Sequence, residues 1–147
     1  NPYTPAVNLF FALDEALKMM REEGLDNIFL RHNKYKLAMS NAAKALNLKL
    51  FADEKYLSPS ITAIKTEGID AEEFRKTIKN NFDILLAGGQ DHLKGKIFRV
   101  GHLGYVNDRD IITVVSAISN TLLNLGKITS QQAGEALVVV SKYLNGS

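Results

Sequence analysis

One arginine, Arg99, stands in a short apolar stretch that is unusually rich in glycine. Five glycines lie within residues 86–105, at positions 88, 89, 95, 101 and 104. Glycine weakens a strand, so this composition indicates positive φ angles or a close approach of the backbone to a ligand or another chain. A half-buried guanidinium is costly without a partner, and its planar fork suits a carboxylate or a phosphate. The segment therefore predicts that Arg99 holds an anionic partner.

That partner has two possible sources. In the first interpretation, Arg99 forms a structural ion pair with a carboxylate of this chain, such as Asp83 or Asp91. In the second, Arg99 clamps the carboxylate of a ligand. Composition alone favours the ion pair, because such pairs are common in folded proteins, but the glycines at 95, 101 and 104 bring the two interpretations level.

The histidines give weaker signals. None of His32, His92 and His102 is spaced as a metal ligand with another histidine, and the chain has no cysteine, so we predict no metal site. His32 lies beside basic residues on a helical pattern and is expected to be solvated. His102 follows the arginine strand and is expected to have a hydrogen-bonded structural role.

Length and charge restrict the classes of partner. The 147 residues suffice for one domain with a core, and the formal net charge of +2 comes without a basic stripe, so we predict no nucleic-acid partner. Apolar runs are too short for a membrane span.

The spacing of Gly89 from Gly95-Lys96 differs from that of a nucleotide-binding P-loop, and a tight hairpin connection is enough to explain Gly88-Gly89.

Periodicity and capping signals predict an α+β fold. We expect a small antiparallel or mixed sheet of about three strands, covered by helices. The first helix is more apolar than such a domain needs, which predicts that a missing domain or a second subunit covers its other side. The predicted helices are residues 4–23, 26–46, 70–81, 107–126 and 129–145, and the predicted strands are 60–66, 84–87 and 97–101, with an extended piece at 48–51.

Three segments together resemble one enzyme family. They are residues 3–8, residues 86–89 and residues 96–104, and the last, with the pattern Lys-x-x-Arg-x-Gly-x-x-Gly, is the most specific. Their order and spacing are similar to those of the C-terminal part of class V aminotransferases, which are fold type I enzymes dependent on pyridoxal phosphate (PLP). Within the family, the chain most resembles the serine–pyruvate, alanine–glyoxylate and serine–glyoxylate aminotransferases, and the resemblance covers nearly its whole length.

The resemblance implies roles for four residues. Residues 1–147 would form the small C-terminal domain, with the start of the long interdomain helix at 4–23. Arg99 would bind the carboxylate of the amino acid or 2-oxo acid substrate. Thr4 would reach the phosphate of the PLP bound in the neighbouring subunit of a homodimer, and Gly88 and Gly89 would lie in a loop at the entrance of the active site.

The resemblance also implies that the catalytic residues lie outside this chain. The Schiff-base lysine, the aspartate that pairs with the pyridine nitrogen and the aromatic residue that stacks on the ring would all precede Asn1, which we interpret as an internal residue of a longer protein. The isolated chain is then expected to be inactive and to hold no covalently bound PLP. The complete cytoplasmic enzyme would move an amino group from serine or alanine to glyoxylate or pyruvate.

Three alternatives compete with this hypothesis. A cysteine desulfurase is disfavoured, because its nucleophile would be a cysteine in this region. A stand-alone module that binds a small carboxylate or a protein stays open. Some relatives of the family carry the label of a soluble hydrogenase subunit, but this segment has no thiolate to offer to a metal centre, so we interpret that label as a matter of naming.

Overall fold

The computed structural model describes residues 3–145 and confirms the α+β fold. Its sheet has four strands rather than the predicted three or so. The chain divides into two compact units, which meet in sequence at residues 31 and 32. The elements are α1 (Val7–Glu23), α2 (Leu25–Ala45), β1 (Lys49–Leu50), β2 (Ile61–Lys65), α3 (Ala71–Phe82), β3 (Ala87–Gly88), β4 (Ile97–Gly101), α4 (Asp108–Asn124) and α5 (Ser130–Leu144).

The first unit contains α1 and the beginning of α2. The helix predicted from residue 4 begins at Val7, with Ala6 as its N-cap and no side-chain cap, so the predicted start of this helix is wrong. Gly24, with φ 83°, ends α1 in a conformation that other residues rarely adopt. No residue of α1 is buried within the described chain. The expectation that another domain or subunit covers α1 therefore stays a prediction.

The second unit is built on the antiparallel sheet, whose strand order is β1-β2-β4-β3. The fourth strand arises because the extended piece predicted at residues 48–51 pairs with β2 through Lys49 and Leu50. The strand predicted at 84–87 is displaced: only Ala87 and Gly88 pair with β4. The strands predicted at 60–66 and 97–101 are confirmed.

One face of the sheet forms the core with the helices. Alternation along β4 sends Phe98 and Val100 to this face, and Ile64 of β2 joins them there. The ring of Phe98 packs against that of Phe74 in α3, with ring centroids 5.1 Å apart. Apolar side chains from α2, α4 and α5 complete the same cluster.

Side-chain caps fix where three helices begin, as the sequence predicts. The Asp70 carboxylate accepts hydrogen bonds from the first amides of α3. At α4, Asn107 and Asp110 form a reciprocal capping box, and Thr129 and Gln132 do the same at α5. These caps satisfy amides at the helix starts that have no partner within the helix.

The core predicts a large cost for truncating Phe98. This side chain is fully buried (0% exposed), so Phe98→Ala removes its apolar contacts and leaves a cavity. We expect the free energy of unfolding to fall by about 3–5 kcal/mol. Urea unfolding monitored by circular dichroism measures the change. The control is Tyr105→Ala, because Tyr105 is 85% exposed; it should change stability by less than about 0.5 kcal/mol. Similar losses in both variants would contradict the assignment of the core.

Candidate functional site

Alternation along β4 places Arg99 on the face of the sheet opposite Phe98 and Val100. Arg99 lies beside Ala63 of β2 and Ala87 of β3 in the strand register. Neighbours this small leave room for the long side chain to lie across the sheet with its head in reach of solvent. The guanidinium is partly buried, as the sequence predicted for an arginine between two apolar residues.

The hydrogen bonds of Arg99 leave part of its fork available. Its Nε donates to the Gly88 carbonyl oxygen at 2.9 Å. Within residues 3–145, no carboxylate forms an ion pair with Arg99, so the predicted pairing with Asp83 or Asp91 is wrong. The two terminal nitrogens of the guanidinium carry the donors that bind a carboxylate end-on. The arrangement thus fits the second interpretation, a clamp for an external anion.

Arg99 opens on a cleft of about 400 Å³. Phe51, Ile61 and Leu93 give the cleft apolar walls, while Gln90, Asp91 and His92 add polar and charged groups to its lining. An apolar pocket with a few polar groups is the usual form of a small-ligand site. The apolar walls also reduce the local dielectric, which strengthens any ion pair that a ligand makes with Arg99.

Close packing inside the chain restricts Gly89 more than Gly88. A Cβ atom on Gly89 would collide with the Leu93 backbone carbonyl group. A Cβ atom on Gly88 would meet the Arg75 guanidinium, which is the end of a flexible side chain and can shift. Neither glycine has a positive φ. Tight backbone packing therefore explains Gly89, as the hairpin interpretation suggested, and the role of both glycines as an entrance loop stays a prediction.

His102, which follows the strand of Arg99, and His32 are both buried. His102 is fully buried: its Nδ1 donates to the Pro59 carbonyl at 3.1 Å, and its Nε2 accepts from the Thr62 hydroxyl at 2.9 Å. This confirms the predicted structural role. His32 is only 8% exposed and its Nε2 accepts from the Gly104 amide at 3.3 Å, so the expectation of a solvated His32 is wrong.

Thr4 lies in an exposed, non-helical segment three residues before α1. The N-terminus of α1 has no side-chain cap, and the amides of Val7 and Leu9 donate to the carbonyls of Pro5 and Ala6 at 2.8 and 2.9 Å. The hydroxyl of Thr4 is a group that can donate a hydrogen bond to the phosphate of a PLP molecule. The contact itself stays a prediction.

Residues 3–145 contain no cluster of three or more histidine, cysteine, aspartate or glutamate side chains able to hold a metal ion. None of the helices in this part of the chain combines the length and apolarity that a membrane crossing requires.

The fold is that of a domain found in aminotransferases. It matches ureidoglycine–glyoxylate aminotransferase from Bacillus subtilis with a TM-score of 0.87 and 31% identity, over 95% of this chain and 37% of that one. Pyridoxamine–pyruvate aminotransferase from Mesorhizobium loti shares the fold with a TM-score of 0.90 at 24% identity, over 99% of this chain and 37% of that one. Both matches cover little more than a third of the larger enzymes.

Sequence relatives agree with the structural neighbours. Serine–glyoxylate aminotransferase from Methylorubrum extorquens is 34% identical over 97% of this chain and 36% of its own length. An uncharacterized aminotransferase from Methanocaldococcus jannaschii is 40% identical over 85% of this chain and 33% of its own length. A protein named soluble hydrogenase, small subunit, from Synechococcus sp. is 52% identical over 98% of this chain and 37% of its own length. No family model matches the chain.

These comparisons confirm the resemblance drawn from residues 3–8, 86–89 and 96–104. The chain is a relative of the class V aminotransferases in both sequence and fold. It spans about a third of the length of the curated relatives that it matches.

The environment of His102 predicts a loss of stability in mild acid. Burial lowers the pKa of His102 below its usual value of 6.5, and the nearby His32 adds to this, while the bond to Pro59 opposes it. The unfolded chain therefore takes up a proton at a higher pH than the folded chain does. The contribution of neutral His102 to the free energy of unfolding should be fully present above pH 6.5. It should be lost as the pH falls from 6.5 toward the lowered pKa.

Urea midpoints measured at pH 7.5 and pH 5.5 test this prediction. One such proton reduces the free energy of unfolding by at most about 1.4 kcal/mol per pH unit. The loss should be smaller in His102→Gln, whereas His92→Gln, which alters an exposed histidine, should behave as the wild type. A fall of equal size in wild type and His102→Gln would rule out His102 as its source.

Proposed function

We propose that the chain is the C-terminal small domain of a PLP-dependent aminotransferase. The support comes from relatives and structural neighbours that are aminotransferases and that the chain matches over about a third of their length. A large N-terminal domain would then carry the lysine to which PLP attaches, and the chain alone would be inactive. The cysteine-free composition fits an enzyme of the cytoplasm.

In this proposal Arg99 binds the carboxylate of the amino acid and of the 2-oxo acid. The observation that carries the assignment is a guanidinium fixed at Nε by Gly88, without an ion-pair partner among residues 3–145, at a cleft with apolar walls. A guanidinium held at one nitrogen presents its terminal donors in a fixed direction. It therefore orients the substrate carboxylate, and with it the amino-bearing carbon, before any bond is broken.

The remaining residues of the site would bind or position other groups and would not themselves react. The hydroxyl of Thr4 would hold the phosphate of the PLP in the neighbouring subunit. When bound, PLP supplies the electron sink that amino-group transfer needs. Gly88 and Gly89 would let the backbone pass close to the entrance of the cleft. The exposed apolar side chains of α1 would contribute to the homodimer contact.

The names of the relatives suggest the substrates. Three are serine–glyoxylate aminotransferases and one acts, by its name, on ureidoglycine and glyoxylate. Among the structural neighbours, one is named for alanine and glyoxylate and one for pyridoxamine and pyruvate. We therefore propose serine or alanine as amino donor and glyoxylate or pyruvate as acceptor. The relatives named as soluble hydrogenase subunits suggest an alternative function. This alternative is weaker, because this segment has no cysteine to ligate a metal centre.

The coding sequence upstream of Asn1 is the first thing to determine. An open reading frame that continues into a domain with a lysine-bearing PLP site is the expected result, and it directs further work to the intact enzyme. A start codon immediately before Asn1 would overturn the aminotransferase proposal. Arg99 would then be the candidate anchor of a stand-alone binding module.

Arg99→Ala in the full-length enzyme tests the carboxylate assignment. Loss of a charge-assisted pair from a closed site costs about 2–5 kcal/mol, so KM for the oxo acid should rise sharply while PLP affinity stays nearly unchanged. Steady-state kinetics and PLP titration measure the two effects. Arg109→Ala is the matched control, because Arg109 is exposed on α4. Unchanged kinetics in Arg99→Ala would contradict the proposal that Arg99 binds the substrate carboxylate.

Thr4→Ala tests the phosphate contact. One hydrogen bond to a charged group contributes about 1.5–3 kcal/mol, so the variant should bind PLP more weakly while its KM for the oxo acid changes little once PLP is saturating. Equilibrium dialysis against PLP gives the dissociation constant, and Ser58→Ala serves as a hydroxyl-deletion control within the other unit. An unaltered PLP dissociation constant in Thr4→Ala would mean that Thr4 makes no such contact.

A further inference from the structure

Arg99 is fixed by a backbone atom of the short edge strand β3. The amide of Gly89 donates to the Ile97 carbonyl of β4 at 3.2 Å. In a trans peptide the C=O points opposite to the N–H, so the Gly88 carbonyl points away from β4 and is free to accept from Arg99 Nε. Because β3 has only two paired residues, its pairing with β4 alone does little to fix the position of that carbonyl.

Arg75 of α3 supplies a second attachment for this strand. Its Nε donates to the Leu86 carbonyl at 2.8 Å, immediately before β3 begins. Its Nη1 donates to the Glu72 carboxylate at 2.8 Å, which fixes the plane of the guanidinium and balances its charge. Because its backbone is attached to a helix of the core, β3 is held by α3 as well as by the ladder.

Arg75 also packs directly against Gly88. A Cβ atom added to Gly88 would collide with Nη1 of Arg75 and would press on Oε1 of Glu72. The Arg75–Glu72 pair thus lies directly against the Gly88 backbone. Movement of the Gly88 peptide toward this pair, which would draw its carbonyl away from Arg99, requires the two side chains to shift.

We propose that Arg75 is a positioning residue for Arg99: it holds Leu86 and the Gly88 backbone so that the Gly88 carbonyl fixes the Arg99 guanidinium at the cleft. The proposal rests on the carboxylate role proposed for Arg99. Arg75 acts through geometry rather than charge, because its own charge is already paired with Glu72. An arginine suits the task because one planar group can hold a carbonyl, a carboxylate and a packed backbone together.

A purely structural Arg75 would lower the stability of the whole domain without a particular effect on Arg99. The readout must therefore be local to the Arg99 side chain. Nitrogen-15 labelling of arginine in the 147-residue chain gives a separate Nε–Hε signal for each arginine, and the exchange of Hε with water reports the bond to Gly88. Arg99→Lys identifies the signal by its disappearance.

Arg75→Met is the main variant, because it keeps an unbranched stem and removes every donor. We expect the Arg99 Hε to exchange at least about tenfold faster, since its acceptor is no longer held in place. Arg109→Met, an equivalent change on the exposed surface of α4, should leave the rate within about twofold of wild type. If Arg75→Met fails to fold, Arg75→Lys replaces it: one ammonium cannot reproduce the fork, so the Hε should again exchange faster. An unchanged Arg99 rate in the folded variant overturns the proposal.

Kinetics of the PLP-loaded full-length enzyme provide the second readout. Arg75→Met should raise KM for pyruvate about tenfold with kcat within about twofold, because a misplaced anchor weakens binding of the substrate carboxylate. Faster Hε exchange with an unchanged KM in both Arg75→Met and Arg99→Ala supports the positioning and overturns the carboxylate role of Arg99. Raised KM in Arg99→Ala alone, with unchanged Hε exchange in Arg75→Met, overturns the positioning and leaves the proposed function intact.

Discussion

Burial of Phe98 and Val100 decides on which side of the sheet Arg99 emerges. Neighbouring residues of a strand point to opposite faces, and a slip of one residue would exchange the faces of all of them. Such a slip would carry Arg99 into the apolar core and bring two large apolar side chains out to water. The stacking of Phe98 on Phe74 resists this. The same packing that stabilises the domain thus orients its candidate binding group, and the two cannot be separated by mutation of the core.

Local signals were sufficient for the starts of α3, α4 and α5 and for β4. Caps such as Asn107 with Asp110 act over three residues, and the alternation around Arg99 is equally local, so both are legible in a single sequence. The importance of Arg99 also followed from local reasoning, since a cationic residue between two apolar strand residues requires an explanation. The sequence left open whether its partner was internal. That depended on where Asp83 and Asp91 lie in three dimensions.

The predictions that were wrong concern positions that depend on contacts with residues distant in the sequence. β3 lies at Ala87–Gly88 rather than at 84–87, in a segment whose backbone is held by Arg75, eleven residues before Leu86. His32 was expected in solvent because its sequence neighbours are basic, but an amide seventy-two residues away donates to it. At Thr4 the residue types permitted a cap, but the helix begins later. Propensity cannot foresee contacts of this separation, because they depend on the complete fold.

The short outer strands have a further consequence for how the protein behaves at high concentration. An exposed strand edge carries unpaired amides and carbonyls, on which a strand from another molecule can add and begin an aggregate. Here β1 and β3, the two outer strands, pair over only two residues each. At β3 the outward carbonyl of Gly88 is already occupied by Arg99. An arginine suited to holding an anion therefore also helps to keep the sheet from growing sideways into fibres.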